Sequence, residues 1–563
     1  MVPEVRHRRI LTVTALVAGA LISTGADMPE ARRIASTAAL PEADSLASMI
    51  EFLSMKGGVP GTRYAAREAE MSEIADSLAA RLERYTGGQV RRQAFTFGHS
   101  IDGFDSTFTG ENIIARVPAA GGGSGTILIT AHYDAIGLRT AGWDTLWNGG
   151  PAPGADDNAS GTAAVMEAAR ILSGLDLPFD LEFVLFSAEE LGRLGSIHYV
   201  SECGESCADE ILGVINADMI GYSGNGTGAS VMSDFRSGWL ADMMMGFAAS
   251  ADPSLPLDII KPGPYNWDHA SFWEREPEKI SAVTLAEPLG EFGSITYPLY
   301  HTVEDLPAVV DIELTARIAG LITGFVAGFQ EAEPRMSILP SDLFVTTGGA
   351  IKNENVFDAG EEMGITARVR NTGGSVPAGG RIELELRLMN SEGERTLLTE
   401  DLDPPDVLRS VDISVPFDAS RNPGGENRIS ARIRAMGFDD DIADNYATVT
   451  FAVTGTPGGA VIGHSFRPNP IGGAFGEANL CIDLSREADI LAEVFTIEGE
   501  RVGEARLGEG YGRPLPAGLS CHRCSEIFQD QIELSSGIYI YRLTVFERGA
   551  VSSNATGRFA VAN

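Results

Sequence analysis

The stretch from Thr126 to Asp218 decides the fold, because three short apolar runs within it each end in polar side chains. Short apolar runs that alternate with a helical pattern, here Thr162 to Leu172, are typical of buried parallel strands in an α/β layer. The runs, each written with the polar residues after it, are Thr126-Ile-Leu-Ile-Thr-Ala-His-Tyr-Asp134, Leu181-Glu-Phe-Val-Leu-Phe-Ser-Ala-Glu-Glu190 and Ile211-Leu-Gly-Val-Ile-Asn-Ala-Asp218.

The polar residues after these runs are expected to meet at one place. Ligands in open α/β sheets collect at the carboxyl ends of the strands. A fourth acidic segment, Pro153-Gly-Ala-Asp-Asp-Asn-Ala-Ser-Gly161, precedes the helical pattern and so falls at a helix start. The sequence therefore predicts an active site at the carboxyl edge of the sheet.

The rest of the chain divides by composition into further domains. At 563 residues it is too long for one core, and a prior of about 150 residues per domain suggests three or four. From Pro334 onward, period-two runs separated by Gly, Pro and Asn turns predict β-sandwiches. The expected divisions are a signal peptide at 1–26, a domain at 27–333 that contains the α/β stretch, a β-sandwich at 334–455 and a second, smaller β domain at 456–563.

The net charge limits the classes of possible partner, and the N-terminal segment indicates where the protein is located. The formal net charge of −36 argues against nucleic acid and anionic membranes as partners. Arg6-His-Arg-Arg9, the apolar run Ile10 to Ile22 and Thr24-Gly-Ala26 resemble a secretory signal. We therefore expect a secreted or cell-surface protein that is not inserted in the membrane once the signal is removed; a retained N-terminal anchor is the alternative.

The five cysteines suit an exported protein with one or two disulfide bonds. Cys203 and Cys207 are close enough in sequence to close a small loop. A disulfide among Cys481, Cys521 and Cys524, with one thiol left free, is favoured over a zinc site because no fourth ligand lies near.

The polar residues at the strand ends suit a pair of divalent metal ions. Two metals need a bridging carboxylate and further nitrogen or oxygen ligands of their own. The stretch supplies His132, Asp157, Glu190 and Asp218, and His301 in Tyr300-His-Thr-Val-Glu-Asp305 is the best-placed second histidine.

A metal-dependent hydrolase also needs a general base that binds no metal. Glu189 and Glu190 are adjacent at a strand end and point in opposite directions, so one can bind metal while the other moves protons. Asp134, two residues after His132, lies on the same side of the strand and can accept the imidazole N–H.

These motifs together resemble those of secreted di-zinc aminopeptidases, the co-catalytic zinc exopeptidase family. The similarity covers about residues 40 to 330 and fills all five ligand positions in order. The motifs that carry it are His132-Tyr-Asp134, Gly154-Ala-Asp-Asp-Asn-Ala-Ser-Gly161, Ala188-Glu-Glu-Leu-Gly192, Asn216-Ala-Asp-Met-Ile-Gly221 and Tyr300-His-Thr302.

The resemblance implies a three-layer α/β/α domain with a mixed, mostly parallel sheet and two Zn²⁺ ions. It assigns His132 and Asp218 to one zinc and Glu190 and His301 to the other, with Asp157 as the bridge. It also implies a cis peptide bond after Asp157, Glu189 as general base and Asp134 as the partner of the histidine ligand. Tyr300 matches a tyrosine that steadies the tetrahedral intermediate in some relatives.

The predicted function is that of an exported zinc-dependent aminopeptidase. It would hydrolyse the N-terminal residues of peptides or proteins with a zinc-bound hydroxide and a glutamate base. Carboxypeptidase or glutaminyl cyclase activity on the same scaffold is one alternative. An inactive surface binding or adhesion protein is the other, although no ligand or base is missing from the sequence.

Two histidines outside these motifs are weighed separately. His198 is expected to be structural on a helix face. His269, beside Asp268, has about even odds of touching substrate, since histidine is common at ordinary partly buried positions.

The C-terminal third carries two weaker resemblances. Ile365 to Phe451 is similar to adhesion-type β-sandwich repeats of bacterial surface proteins. Residues from about 462 onward resemble the sorting domains of type IX secretion cargo, which would make export machinery a partner of that domain. The ending Phe559-Ala-Val-Ala-Asn563 departs from that pattern because it is not strongly basic.

Overall fold

The computed structural model describes residues 41–562 with short gaps. The predicted signal peptide, 1–26, therefore lies outside the described residues. The gaps are 89, 102, 120–121, 124, 205–206, 276–279, 291–292, 331, 340–341, 349, 352–355, 359–361, 391–392, 419–424, 437, 440–444, 455–460, 468–470, 473–474, 476–477, 485–486, 497–500, 509–513, 529–533, 535–536 and 548–549.

The N-terminal part is built on one eight-stranded sheet, and the three apolar runs of the sequence are its central strands. A small hairpin of β1 (Met55–Lys56) and β2 (Val59–Pro60) precedes it. The strands of the sheet are β3 (Val90–Ile101), β4 (Phe104–Val117), β5 (Thr126–His132), β6 (Asp180–Phe186), β7 (Ile211–Ala217), β8 (Ala229–Met232), β9 (Leu257–Ile260) and β10 (Ala282–Ala286).

The order across the sheet is β3-β4-β6-β5-β7-β10-β8-β9. β5, β6, β7 and β10 run parallel to one another, whereas β4 joins β6 and β8 joins β10 in antiparallel pairs. The sheet is therefore mixed and mostly parallel at its centre, as predicted, and the carboxyl ends of its four central strands meet at one edge.

Helices cover both faces of this sheet. A π-helical turn at Ala155–Ser160 leads into α4, and a 3₁₀ turn at Pro307–Val309 precedes α9. The helices are α1 (Ala43–Ser54), α2 (Glu68–Thr86), α3 (Trp143–Leu146), α4 (Gly161–Leu172), α5 (Leu194–Glu202), α6 (Cys207–Glu210), α7 (Gly238–Ala251), α8 (His269–Trp273) and α9 (Ile312–Ala327).

Local sequence explains where the longer helices form and end. In α2, Met71, Ala75, Leu78 and Leu82 are buried, and their spacing of three to four residues puts them on one face. Gly87 ends α2 with a φ of 64°, a left-handed conformation that glycine adopts without strain. The Asp311 side chain caps α9 by accepting the N–H of Leu314.

Alternate residues of the strands face two separate apolar layers. Ile127, Ile129 and Phe183 pack with α1, α2, α4, α7 and α9. Leu128 and Val184, one residue away, pack on the opposite face with Tyr199, Phe272 and Trp273. Since strands buried on both faces alternate between two cores, the domain has the predicted three layers.

The first β-rich segment beyond the sheet carries the predicted period-two pattern as two five-stranded sheets. In β16, the even positions from Ile382 to Leu388 are buried and the odd positions are more exposed. The strands are β11 (Met336–Ser337), β12 (Leu343–Thr347), β13 (Ala350–Ile351), β14 (Val356–Asp358), β15 (Glu362–Asn371), β16 (Arg381–Asn390), β17 (Gly393–Leu402), β18 (Ser410–Asp418), β19 (Gly425–Met436) and β20 (Tyr446–Thr454).

A three-stranded and a five-stranded sheet form the C-terminal segment. Its one described helix is α10 (Cys524–Ile527), a single turn. The strands are β21 (Val461–Arg467), β22 (Ile471–Gly472), β23 (Asn479–Leu484), β24 (Asp489–Thr496), β25 (Arg501–Leu507), β26 (Gly518–Arg523), β27 (Gly537–Glu547) and β28 (Ala550–Ala562). The domain limits 27–333, 334–455 and 456–563 stay predictions.

One disulfide joins the two cysteines that are close in sequence, and the other joins two of the three C-terminal cysteines, whose pairing the sequence left open. Cys203 is bonded to Cys207, and Cys481 is bonded to Cys521 across the neighbouring strands β23 and β26. Cys524 is the free thiol, and it is buried. Within the described part of the chain, no helix has the length and apolar character needed to cross a membrane.

The first β-sandwich packs directly on the α/β domain. Val407 and Leu408 are buried in the same apolar cluster as the helices of that domain. The guanidinium carbon of Arg370 lies 4.1 Å from the ring centre of Trp239. The contact means that the α/β domain and the sandwich share part of one core.

Candidate metal centre

All five predicted metal ligands meet at the carboxyl edge of the sheet. His132 is the last residue of β5, Asp218 follows β7, and Glu190 lies in the turn after β6. Asp157 lies in the π-helical turn before α4, and His301 lies in the loop between β10 and α9. Their side chains form two groups whose ligand atoms lie within 4.8 Å of one another, His132, Asp157 and Asp218 in the first and Asp157, Glu190 and His301 in the second.

Asp157 belongs to both groups, and it offers a different oxygen to each. His132 Nε2 is 3.3 Å from Asp157 Oδ1 and 3.3 Å from Asp218 Oδ1. His301 Nε2 is 3.2 Å from Asp157 Oδ2 and 2.7 Å from Glu190 Oε2. A carboxylate whose two oxygens face two separate sets of donors is the geometry of a bridging ligand.

The donor set fits divalent cations that accept nitrogen and oxygen ligands, such as zinc. Glu190 Oε1 is buried and has no hydrogen-bond partner in the described structure. Burial disfavours a charged His301, but Glu190 and Asp157 outweigh that effect and raise the pKa of His301 to about 10. Burial raises the pKa of Glu190 to about 7, helped by the nearby Asp157. The site therefore holds more negative charge than its own residues neutralise, which a bound cation would offset.

Asp134 links the first histidine to the turn that carries the two glutamates. Its carboxylate accepts the backbone N–H of Glu189 at 3.0 Å and that of Glu190 at 3.2 Å. His132 Nδ1 lies 3.6 Å from Asp134 Oδ1, slightly beyond a direct hydrogen bond. The predicted partner of the histidine ligand thus also fixes the backbone of the predicted base.

Glu189 belongs to neither metal-ligand group. Burial of its carboxyl raises the pKa of Glu189 well above the usual value, and the nearby charges of Asp268, Glu190 and Asp218 add to the rise. An acid with a raised pKa beside a metal site suits proton transfer better than one ionised at every pH. The arrangement therefore leaves Glu189 free for the role of general base.

His301 is held in an uncommon backbone conformation by the loop that precedes α3. Its φ is +58°, in the left-handed region that non-glycine residues seldom occupy. Arg139 N–H donates to the His301 carbonyl at 2.8 Å, and Val303 N–H donates to the Thr140 hydroxyl at 3.0 Å. The Tyr300 ring stacks on the imidazole with centres 3.6 Å apart. The catalytic role of Tyr300 stays a prediction.

The two tryptophans of the loop from Ile136 to Gly150 are packed inside the protein. Trp143 is 2% exposed and Trp147 is 9% exposed. Both rings lie edge-on to Tyr64, with centres 5.2 and 6.1 Å away. These rings therefore build the wall of the domain, and the loop contributes to the site by bracing His301.

His269 is structural, because both of its ring nitrogens are occupied inside the protein. Thr284 Oγ1 lies 2.6 Å from Nδ1, and the Pro264 carbonyl lies 2.9 Å from Nε2. Because His269 is also 0% exposed, it does not contact substrate in this structure, and of the two roles left open by the sequence the structural one holds.

Thr284 and His269 end a buried polar chain that ties the 262–268 loop to the sheet. The Thr130 hydroxyl donates to Asn216 Oδ1 at 2.8 Å, and Asn216 Nδ2 donates to Thr284 Oγ1 at 3.2 Å. Every member of this chain has a partner, so it fixes the loop without leaving a buried group unpaired. The sequence showed these threonines and asparagine only as ordinary strand residues.

Two buried acids near the centre were not assigned a role from sequence. Asp305, four residues after His301, accepts the N–H groups of Asp156 and Asp157 and the Tyr297 hydroxyl. Asp268 is 0% exposed, and burial raises its pKa to about 7. In the sequence, Asp305 ends the Tyr300–Asp305 motif and Asp268 precedes His269. Only the fold shows that Asp305 binds the turn that carries Asp157 and that Asp268 is completely buried.

His198 and the remaining predictions can also be placed. The His198 ring packs 5.1 Å from the Phe95 ring, in keeping with a structural role. The peptide bond between Asp157 and Asn158 is cis, as the family resemblance implies. The acidic turn at 439–441 lies largely outside the described residues.

Comparison with known proteins identifies relatives of part of the chain. Residues 112–326 match the model of Peptidase family M28, in keeping with the predicted metallopeptidase class. Aminopeptidase YwaD of Bacillus subtilis is 29% identical over 227 residues, covering 39% of this chain and 46% of that protein. Leucine aminopeptidase 1 of Emericella nidulans is 35% identical over 151 residues, covering 25% of this chain and 36% of that protein.

Solved structures with similar folds include both aminopeptidases and cyclases. An aminopeptidase from Aneurinibacillus sp. strain AM-1 has a TM-score of 0.43 at 18% identity, covering 53% of this chain and 95% of that one. A glutaminyl cyclase from Porphyromonas gingivalis has a TM-score of 0.41 at 21% identity, covering 51% and 98%. The chain covers 46% of the Bacillus subtilis aminopeptidase, 36% of the Emericella nidulans enzyme and 60% of a probable leucine aminopeptidase of Trichophyton verrucosum. It therefore spans between about a third and two thirds of the length of these relatives.

Proposed function

We propose that the chain is an exported zinc-dependent aminopeptidase that removes residues from the amino end of peptides. One observation carries the proposal: five ligand side chains form two groups that share Asp157, beside a glutamate that belongs to neither group. We assign His132, Asp157 and Asp218 to one Zn²⁺ and Asp157, Glu190 and His301 to a second.

The reaction requires the residues of this chain to move one proton at the right place. Bound zinc supplies Lewis acidity, which activates water and polarises the peptide carbonyl. Glu189 accepts a proton as the water oxygen bonds to the carbonyl carbon, and it delivers that proton to the leaving nitrogen as the C–N bond breaks. Asp134 keeps the Glu189 backbone in place through its hydrogen bond at 3.0 Å.

An apolar cluster beside the ligands suggests which residues are removed. Met219 follows the ligand Asp218, and Tyr300 precedes the ligand His301. Both belong to a small cluster with Met232, Trp267 and Tyr297 that is separate from the two main cores. The apolar surface of this cluster comes from its partly buried members, which include Tyr222, Leu299 and Tyr300. Large apolar side chains at the amino end of a peptide gain free energy from such a surface, so leucine and phenylalanine are the expected first residues.

Mass spectrometry of a mixed peptide pool tests this proposal with the full chain. Stepwise, chelator-sensitive loss of residues from the amino end, apolar ones fastest and restored by added Zn²⁺, is the expected result. Loss from the carboxyl end would support the carboxypeptidase alternative. Loss of ammonia from N-terminal glutamine without cleavage would support a cyclase. An unchanged pool would support the binding-protein alternative.

Export is proposed on separate grounds. Two disulfide bonds, Cys203–Cys207 and Cys481–Cys521, suit an oxidising environment outside the cytoplasm. Cell fractionation and N-terminal sequencing of the mature protein test the proposal, and we expect the mature chain to start near residue 27. Removing the C-terminal segment from 456 onward tests the proposed sorting role, which requires that the shortened protein is no longer exported.

A further inference from the structure

Arg63 is a buried arginine whose side chain bonds to two segments that carry proposed metal ligands, and it lies outside the segment that matches the peptidase family. It is 0% exposed, in the segment between β2 and α2. Residues 112–326 carry the family match, so neither the match nor the metal-ligand motifs point to it. A fully buried guanidinium is rare, because arginine is almost never buried without partners.

The partners of Arg63 are backbone carbonyls. Nε donates to the Tyr133 carbonyl at 2.7 Å, and Nη2 donates to the Gly154 carbonyl at 2.8 Å. Nη1 donates to the Leu53 carbonyl at 3.1 Å and also to the Pro153 carbonyl. One side chain therefore joins three segments that are 10 to 91 residues away from it in sequence.

Two of those segments carry metal ligands. Tyr133 lies between His132 and Asp134, and Gly154 begins the turn that presents Asp157. The backbone of Arg63 adds to the same connection, since Ala135 N–H donates to the Arg63 carbonyl at 3.0 Å. The guanidinium thus sets the distance between the strand end that carries His132 and the turn that carries the bridging Asp157.

The surroundings of Arg63 are acidic, yet no carboxylate pairs with it directly. Within the described residues, no carboxylate oxygen forms an ion pair with Arg63 inside 4.0 Å. Burial lowers the pKa of Arg63 to about 10, and the charges of Asp305, Asp134 and Asp157 oppose that decrease. Arg63 is therefore cationic at neutral pH, and its four donated bonds are available to the carbonyls alone.

We propose that Arg63 is a positioning residue that holds His132 and Asp157 at the separation that the metal ion they share requires. The inference rests on the proposed metal-dependent function. A planar guanidinium reaches four carbonyls in one rigid fork, whereas a lysine ammonium at this position has three donors on a flexible stem. Lysine keeps the charge and loses the fork, so Arg63→Lys separates the two effects.

The test is a zinc titration of the full chain after removal of metal, with a chromophoric chelator as competitor. Loss of a group that orients metal ligands costs about 10- to 100-fold in metal affinity, and we expect Arg63→Lys to bind Zn²⁺ more weakly by that factor. Arg67→Lys is the matched control. Arg67 is four residues away and bonds to Glu70 and to the Trp147 carbonyl, neither of which is adjacent in the chain to a proposed metal ligand. We expect it to bind zinc like the unmodified chain.

A second measurement separates positioning from stability. All five tryptophans lie between residues 143 and 273, so their fluorescence reports unfolding of the α/β domain. If Arg63→Lys lowers the unfolding midpoint of the metal-free chain but leaves zinc affinity unchanged, the proposal is wrong. It is also wrong if neither Arg63→Lys nor Arg63→Gln folds without metal. If the unmodified chain binds no zinc, the proposed function fails, which is a different result.

Discussion

Buried acids are treated differently in the two halves of this molecule. The β-rich half buries Asp342 and Glu493, and an arginine neutralises each. Arg370 forms a two-pronged bond with Asp342, at 2.9 and 3.2 Å. Arg542 and Arg501 both bond to Glu493, at 2.6 to 3.2 Å. These acids are part of the fold, and their charge is balanced where they stand.

The carboxyl edge of the α/β sheet also buries acids, and in the described structure these form no ion pair with an arginine. Asp134 and Asp305 are 0% and 1% exposed and accept backbone N–H groups. Neither carboxylate oxygen of Asp268 has a hydrogen-bond partner in the described structure. No arginine or lysine lies within ion-pair distance of these three described acids.

The backbone shows the same difference. Non-glycine residues with positive φ, in the described structure, are Ala188, Arg193, Met219, His301 and Leu408. His301 is a proposed ligand, Ala188 and Met219 adjoin the proposed base and a ligand, Arg193 lies three residues after Glu190, and Leu408 lies in the β-sandwich. Strained backbone and unbalanced charge cost stability, and they cluster where function requires them. The difference supports a structural role for the acids of the β-rich half and the proposed metal binding and proton transfer at the sheet edge.

Replacing the proposed base should have the largest effect. Glu189→Gln keeps the size of the side chain but removes its ability to accept a proton. General acid–base catalysis contributes about 10²- to 10⁴-fold, so we expect kcat to fall by that factor while bound zinc is unchanged. Peptidase assays and metal analysis of the same sample measure both quantities.

Glu182→Gln is the matched control for that variant. Glu182 is buried on β6 and accepts the Tyr199 hydroxyl at 2.7 Å, away from the carboxyl edge. The Glu182→Gln variant should retain the activity of the unmodified chain. If Glu189→Gln were as active as the unmodified chain, Glu189 would not be the general base. The acids at the sheet edge would then differ from those of the β-rich half only in the proposed metal binding.

Asp342→Asn should be the largest change in stability. Removing one partner of a buried ion pair leaves the other charge uncompensated and costs about 3–5 kcal/mol. Arg370 would be left in that state against Trp239, so we expect the free energy of unfolding of the sandwich to fall by about that amount. Circular dichroism in urea measures the loss. Zinc affinity should not change, and a fall in affinity would show that the two halves are not separate in function.

The sequence predicted the elements whose signal is local. β5, β6 and β7 were expected within one or two residues of their observed limits, because each is an apolar run that ends in a polar motif. Four of the five proposed ligands could be identified because each follows such a run or opens a helix, whereas His301 was chosen as the best-placed second histidine. β8 and β9 have four residues each, too few for a periodic pattern, and their pairing depends on the rest of the sheet.

Contacts between distant segments could not be predicted in the same way. Arg63 is one of many charged residues in the sequence, and only the fold brings it to carbonyls 70 and 91 residues away. His269 was equally open, because a histidine next to an acid can be a ligand, a base or a structural group. Its partner Thr284 lies on another strand, so its structural role follows from the sheet order and not from the residues around it.

His269 should make the stability of the α/β domain depend on pH. Burial lowers the pKa of His269 to about 3, whereas an unfolded chain protonates histidine near pH 6.5. Between these values the folded state binds fewer protons than the unfolded state, so stability falls as pH falls below 6.5. The slope from this group approaches about 1.4 kcal/mol per pH unit.

Tryptophan fluorescence in urea at pH 7, 6 and 5 measures that slope for the metal-free α/β domain. His269→Gln keeps an acceptor for Thr284 and a donor for the Pro264 carbonyl but has no proton to gain. The unmodified chain should therefore lose stability more steeply than the variant as pH falls. Identical slopes would mean that His269 is exposed to solvent before the domain unfolds.

Asp268→Asn should have the smallest effect, and its sign separates the two classes of acid. The amide keeps the shape of Asp268 and removes a buried charge that no arginine balances. An unsatisfied buried polar group costs about 1–3 kcal/mol, and since the amide stays polar we expect the metal-free α/β domain to gain about 1 kcal/mol. Asp342→Asn, the same chemical change, is expected to have the opposite sign. Because Asp268 acts electrostatically on Glu189, we also expect kcat to fall and its pH profile to shift. If Asp268→Asn lost stability, Asp268 would be a structural acid like Asp342. The acids with unbalanced charge would then be only the proposed metal ligands and the proposed base.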